Sequence, residues 1–293
     1  MSETTIGLNR KISSASDLQS VVRTMKALAA SSIAQYENSV RALSEYSHSV
    51  ELGLSVCLRC PETAAMLMPE QRSADTIGAV VFGSDQGLVG QFNEVVSDFA
   101  SCTLSAVSSP AKVWAVGERV QSQLLDAGLN VIGLFTMPNS VKLITPLVGQ
   151  ILIACEAHRS RGEIFDLRLF YNRPTSGTGY APFQQRLLPL DDEWQRQMAE
   201  FPWPTRNLPE PLGSRPETLR ALIREYLFVS LFQACAESLA SENASRLAAM
   251  ERADKNIEDL LDNLNGSFHR LRQSRIDEEL FDVVAGFRDV KPG

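Results

Sequence analysis

An apolar seam along the last quarter of the chain limits its possible folds more than any other feature. Stepping alternately by three and four from Leu219 gives 17 positions ending at Arg275, and thirteen of them are apolar, among them Leu222, Tyr226, Val229, Leu247, Met250, Ile257, Leu261 and Leu271. The exceptions are Gln233, Asn243, Asp254 and Arg275. This mean spacing of 3.5 is the coiled-coil period, not the 3.6 of a straight surface helix. Pro216 and Glu217 suit a first helical turn, and Gly286 offers a stop. At about 1.5 Å per residue, a helix over Glu217–Ala285 would run roughly 100 Å, which no single domain core can cover.

The N-terminal end carries a matching seam. From Val22 through Met25, Ala29, Ile33, Tyr36 and Val40 to Cys57, ten steps cover 35 residues, again a mean of 3.5. Ser31, Ser32 and Ser39 beside it permit close helix approach. The two ends are therefore expected to pair as a long antiparallel coiled coil. The longer helix would be left partly without an intramolecular partner and would have to lie against other chains.

Between the ends the periodicity changes. Thr76–Phe82 reads as a buried strand, Asn93–Ala106 as a helix, Lys112–Val116 as a strand and Glu118–Ala127 as a helix closed by Gly128. Asn130–Leu134 and Ser140–Ala157 continue the alternation, and Phe165–Tyr171 with Phe183–Leu190 form a hairpin or edge pair. Strand–helix alternation implies a mainly parallel sheet covered on both faces. The fold class is α/β: a central Rossmann-like domain with a coiled coil of the terminal helices. The expected boundaries are 1–60 for the first helix, 61–75 for a linker and 76–190 for the α/β domain. A proline-rich linker follows over 191–215, then the long helix over 216–286 and a polar tail over 287–293.

Composition narrows the function. The 293 residues are 44% hydrophobic and 22% charged, as in a folded protein. A net charge of −7 argues against a nucleic-acid partner. Met1–Asn9 lack a basic segment followed by an apolar one, so no secretory signal is expected, and no apolar run reaches the roughly 18 residues of a membrane span. The five cysteines are odd in number and scattered; Cys57 and Cys60 form one C-x-x-C, but His48, His158 and His269 are too dispersed to complete a zinc site. No metal is expected.

Catalytic motifs are missing in detail. Gly83-Ser84-Asp85-Gln86-Gly87-Leu88-Val89-Gly90 follows the first strand, but its glycines are spaced G-x-x-x-G-x-x-G and no Lys-Ser/Thr follows to make a phosphate loop. No G-x-S-x-G surrounds a serine. Asp277, Glu278 and Glu279 read as a solvated helix face, and Arg23, Lys26, Arg246, Arg272 and Arg275 as solubilising flanks of the coiled coil. No cofactor and no catalytic residue is expected.

Three blocks resemble the gamma subunit of F-type ATP synthases. They are Arg10–Ser14 with Arg23–Ser31, then Ser84–Asn93, then Glu237–Gly286, the last including Ser241–Met250 and Arg272–Leu280. They stand in family order and at family spacing. The resemblance implies a non-catalytic central rotor stalk that transmits torque between a membrane c-ring and a ring of alpha and beta subunits, with catalysis belonging to the beta subunits. The epsilon subunit and the c-ring would meet the middle domain, at the cytoplasmic face of a bacterial inner membrane. Carried over by position, Met25, Lys26 and Arg246 would meet an acidic segment of beta, Arg272 and Gln273 a beta loop nearer the tip, and Ile276, Leu280 and Val283 would form the tip. Neutral Ser32-Ile33-Ala34-Gln35 and the tail after Gly286 depart from the family pattern. They point to a divergent branch, of a kind with alternative proton- or sodium-translocating synthases. A coiled-coil scaffold carrying an α/β domain is the alternative reading, and its mark would be a tight homodimer.

Overall fold

The structure, a computed structural model, describes residues 5–59, 76–107, 109–175, 179–207, 209 and 214–289, with the side chains of 283 and 285–289 outside the description. Cys60, the 61–75 linker and the tail beyond residue 289 therefore lie outside the described residues. The elements are α1 (Thr5–Leu58), β1 (Ile77–Phe82), α2 (Phe92–Ser105), β2 (Ala111–Val116), α3 (Glu118–Asp126), β3 (Val131–Phe135), α4 (Ile144–Ser160), β4 (Asp166–Pro174), β5 (Tyr180–Leu188), α5 (Asp192–Ala199) and α6 (Arg215–Asp289). They fall into two compact units, one of 1–29 with 247–293 and the other of 30–246.

In the first unit the ends of α1 and α6 run antiparallel. Ala15, Val22, Met250 and Ile257 are buried together, with Met25, Ala253, Leu261 and Leu264 packed around them. Small and β-branched residues of α1 thus meet Met and Ile of α6, as the 3.5-residue seam requires. Asp254 breaks that seam in sequence yet is accommodated, because it accepts from Gln19 Nε2 at 3.3 Å and from Arg23 Nε at 3.2 Å. Arg275, the last seam exception, donates to Thr5 Oγ1 at 3.3 Å.

The second unit is built on a five-stranded sheet of order β3-β2-β1-β4-β5. β1 lies at its centre, parallel to both neighbours, with Val80 opposite Trp114 and Leu169. All six of its residues are buried, which explains its unbroken apolar run. Only β5 is antiparallel; it is an edge strand and tolerates Pro182 there. One sheet face packs against Val96, Ala100 and Leu104 of α2 and Val120 and Leu124 of α3. The other packs against Ile144, Val148 and Ile151 of α4, Tyr36 of α1 and Leu231–Ala240 of α6.

Two elements differ from the sequence expectation. The stretch read as a linker after residue 190 contains α5, whose Asp191 accepts from Trp194 N at 3.0 Å as an N-cap. Trp194 then packs edge-on against Tyr226, its Nε1 donating to the phenolic oxygen at 3.1 Å. α6 also passes through Gly286 to Asp289. Val141–Ser160 is long and apolar enough to cross a membrane by length and composition, with mean hydropathy 1.3. It was not singled out in sequence because Lys142 and Gln150 interrupt it. In the structure its apolar stripe Ile144, Leu147, Val148, Ile151 and Cys155 is buried in the core of the second unit.

Candidate partner-binding surfaces

The glycine turn after β1 uses its polar atoms internally. Ser84 N donates to Asn93 Oδ1 at 2.9 Å, and Asn93 Nδ2 donates to Ser84 Oγ at 2.8 Å. Asp85 accepts from Glu118 N at 3.0 Å and from Met137 N at 2.9 Å, so it caps the start of α3 and ties down the segment after β3. Gly83 is required by close approach: a Cβ there would lie 2.3 Å from Val120 Cβ. Leu88 holds φ 63°, a strained left-handed conformation for a leucine, and its side chain is 62% exposed. The turn is built to lock strand, helix and α6 together: Ser245 Oγ of α6 donates to the Val89 carbonyl at 2.5 Å.

The residues expected to meet a partner are differently placed. In the first unit, Met25 is half-buried against the Met250 cluster, while Lys26, also half-buried, reaches Glu251 at 3.7 Å. In the second unit, Arg246 is not a free surface cation. Its Nη2 lies 2.6 Å from Glu242 Oε1, its Nη1 reaches Asn243 Oδ1 at 3.4 Å, and its side chain is only 14% exposed. Burial raises the Glu242 carboxyl above its ordinary value; Arg246 opposes that shift and Asp85 adds to it. Sequence reasoning singled out Arg246 and missed Glu242. The signal was present as Glu four residues before Arg on one helix, the favourable i,i+4 order.

Arg272 and Gln273 are exposed and, among the described residues, make no side-chain hydrogen bond or ion pair. Ile276 and Leu280 are exposed beside them, and Phe281 is 72% exposed; the Val283 side chain lies outside the description. Ile6, Leu18, Val21 and Leu28 add to the exposed apolar surface of this unit. A groove lined by Arg10, Lys11, Ala15, Leu18, Ile257 and Leu260 sets apolar residues beside two basic ones. Exposed apolar side chains thus recur along both helices of this unit. Among the described residues there is no group of three or more His, Cys, Asp or Glu suited to a metal ion.

Comparison with known proteins gives the family. A family model described as ATP synthase matches residues 4–290. The chain belongs to the gamma-chain family of ATP synthases. The gamma chain of Nitrosomonas eutropha is 28% identical over 294 residues, covering 95% of this chain and 97% of that one. The gamma chain of Moorella thermoacetica is 25% identical over 287 residues, covering 95% and 96%. The gamma-family fold recurs in the rotor of the Euglena gracilis mitochondrial ATP synthase, with a TM-score of 0.61, 15% identity and coverage of 93% and 98%. It recurs also in the central stalk of the Tetrahymena thermophila mitochondrial enzyme, with a TM-score of 0.57, 20% identity and coverage of 80% and 99%. The gamma family supplies the rotor subunit of F-type synthases, and this chain has that role.

Proposed function

We propose that this gamma-family chain is the central stalk through which a membrane c-ring drives a ring of three alpha and three beta subunits, and that it performs no catalysis itself. The observation that carries this reading is the antiparallel pair of helix ends in the first unit, with a closed internal seam at Met250 and an outer face of exposed Leu18, Val21, Leu28, Ile276 and Leu280. A pair of helices has no interior large enough to hide that face, so a surrounding ring must. The two helices differ in sequence, so each beta subunit of a three-fold ring meets a different surface. Turning the stalk would then shift the balance of open and closed catalytic sites by differential contact.

The acidic segment of beta would meet Met25, Lys26 and Arg246, a beta loop would meet Arg272 and Gln273, and Ile276, Leu280 and Val283 would form the tip. The epsilon subunit and the c-ring would contact the sheet-bearing unit, placing the chain peripherally at the cytoplasmic face of a bacterial inner membrane. The test is purification from native membranes through a tag on this chain. A stoichiometric complex with alpha and beta subunits is the expected result. A discrete homodimer without them would overturn the stalk reading and leave a coiled-coil scaffold.

A further inference from the structure

Glu242 stands on α6 with its side chain 7% exposed and one carboxylate oxygen committed to Arg246. Its other oxygen, Oε2, is buried and has no hydrogen-bond donor among the described residues. A buried carboxylate oxygen without a donor is costly, and native structures keep such atoms rare. The titratable groups that act on this site are Tyr36 from α1, Asp85 from the turn after β1, and Cys235 and Arg246 from α6 itself. Burial, with Glu242 adding to it, pushes the Tyr36 hydroxyl up to about 12 and raises the Cys235 thiol as well, so both stay protonated and neutral. Arg246 is thus the one cation among these groups, set against two carboxylates.

A guanidinium held in this way arrives at a partner already aimed, but it cannot serve two buried carboxylates equally. If Arg246 turns to an acidic partner, Glu242 is left buried without a counterion, which is strongly unfavourable unless the carboxylate becomes neutral. The orphan Oε2 is where a proton would sit.

We propose that Glu242 is a positioning residue for Arg246: Oε1 aims the guanidinium, and Oε2 takes a proton from solvent when Arg246 engages a carboxylate of a catalytic-ring subunit. This rests on the stalk reading above. The exchange balances: Arg246 passes from one carboxylate to another, one solvent proton forms an O–H bond on Glu242, and no other bond changes. Docking therefore takes up a proton, and affinity for the ring falls as pH rises.

The test measures binding of the full chain to a three-plus-three ring of alpha and beta subunits across the neutral to alkaline range. For the parent chain, one coupled proton weakens binding by up to about tenfold per pH unit. Glu242→Gln, isosteric but unable to titrate, is expected to lose that slope. Glu242→Asp, which still titrates, is expected to keep it, a rescue that a merely structural role would not produce. Arg246→Ala should lose the slope too, and the double variant E242Q/R246A should match Arg246→Ala alone. A slope unchanged in Glu242→Gln, or two losses that add independently, overturns the proposal while leaving the stalk intact. A parent chain that binds no ring at any pH overturns the stalk reading, and this proposal falls with it.

Discussion

Ser245 donates its hydroxyl to the Val89 carbonyl oxygen at 2.5 Å, joining α6 to the turn after β1 across 156 positions of sequence. Both residues are buried, so the bond is not exchangeable with water without opening the unit. Ser245→Ala leaves the buried Val89 carbonyl with the longer bond from Phe92 N at 3.3 Å, so the loss is that of one hydrogen bond, about 1 kcal/mol. Urea unfolding should show this as a lower midpoint with an unchanged slope. Ser44→Ala removes a hydroxyl that bonds the Arg41 carbonyl at an exposed site and should stay within about 0.5 kcal/mol.

Gly117 holds φ +114°, and a Cβ there would come within 2.7 Å of the Ser84 backbone. Gly117→Ala combines conformational strain with a backbone collision and should cost at least about 2 kcal/mol. Gly128 also has a positive φ, at +77°, but nothing lies within 4 Å of its would-be Cβ. Gly128→Ala should therefore cost only about 1–2 kcal/mol, from the left-handed conformation alone. Equal losses in chemical denaturation would show that the Ser84 contact does not matter.

Glu163 accepts from Lys112 at 2.6 Å, bonds His158 Nδ1 at 2.6 Å and lies 3.1 Å from Arg161. The Lys112 bond first, then that to His158, holds its carboxyl down at about 2 against an ordinary 4.5. A depressed folded-state value means the unfolded chain binds the proton more readily, so this stabilisation is present above pH 4.5 and drains away as pH falls toward 2. The melting temperature of Glu163→Gln should lie below the parent's near neutrality, and the gap should close progressively in acid. A gap that stays constant with pH would contradict the arrangement.

Met250 is 2% exposed at the centre of the first unit's seam. Met250→Ala opens a cavity between two helices and should cost about 2–5 kcal/mol. Hydrogen exchange should show protection lost around Ala15–Val22 and Ala249–Ile257, while β1 and β2 keep theirs. Loss spread evenly over both units would mean that the seam is not a local cluster.

Arg272 and Gln273 are exposed and make no internal side-chain bonds among the described residues, so replacing both with alanine should leave folding within about 0.5 kcal/mol. Their expected partner is a beta loop, so coupled ATP synthesis by membranes carrying the double variant should fall. Full synthesis at normal complex levels would remove these two residues from the contact.

The seam spacing made the terminal helices legible, and the alternation of apolar runs with glycine-closed helices made the sheet legible. β1 was read within one residue of its observed start because buried strands are continuously apolar. α5 was not legible: its eight residues are stabilised by Trp194 meeting Tyr226, a tertiary contact, and prolines nearby dominate the local signal. Gly286 was read as a stop because glycine is the commonest residue just past a helix end, yet α6 runs through it to Asp289. The partner residues were visible as chemistry but not as environment. The four seam exceptions Gln233, Asn243, Asp254 and Arg275 each turn out to make a side-chain hydrogen bond, to Glu237, to the Leu239 carbonyl, to Gln19 and Arg23, and to Thr5. A periodicity argument counts them as errors, whereas the helix uses them as fasteners.

Ala234–Asn243 are ten consecutive buried residues of α6, closed in on every side, where a surface helix would show solvent on one flank. Ser241 there is bolted to the Asn172 carbonyl of β4, and Glu237 to Arg173 of the same strand. A helix seated in this way is keyed into its hub: it cannot spin about its own axis without dragging the strands along. Twist applied to the sheet is thereby delivered to the helix without slip, as a machine part that carries rotation must deliver it.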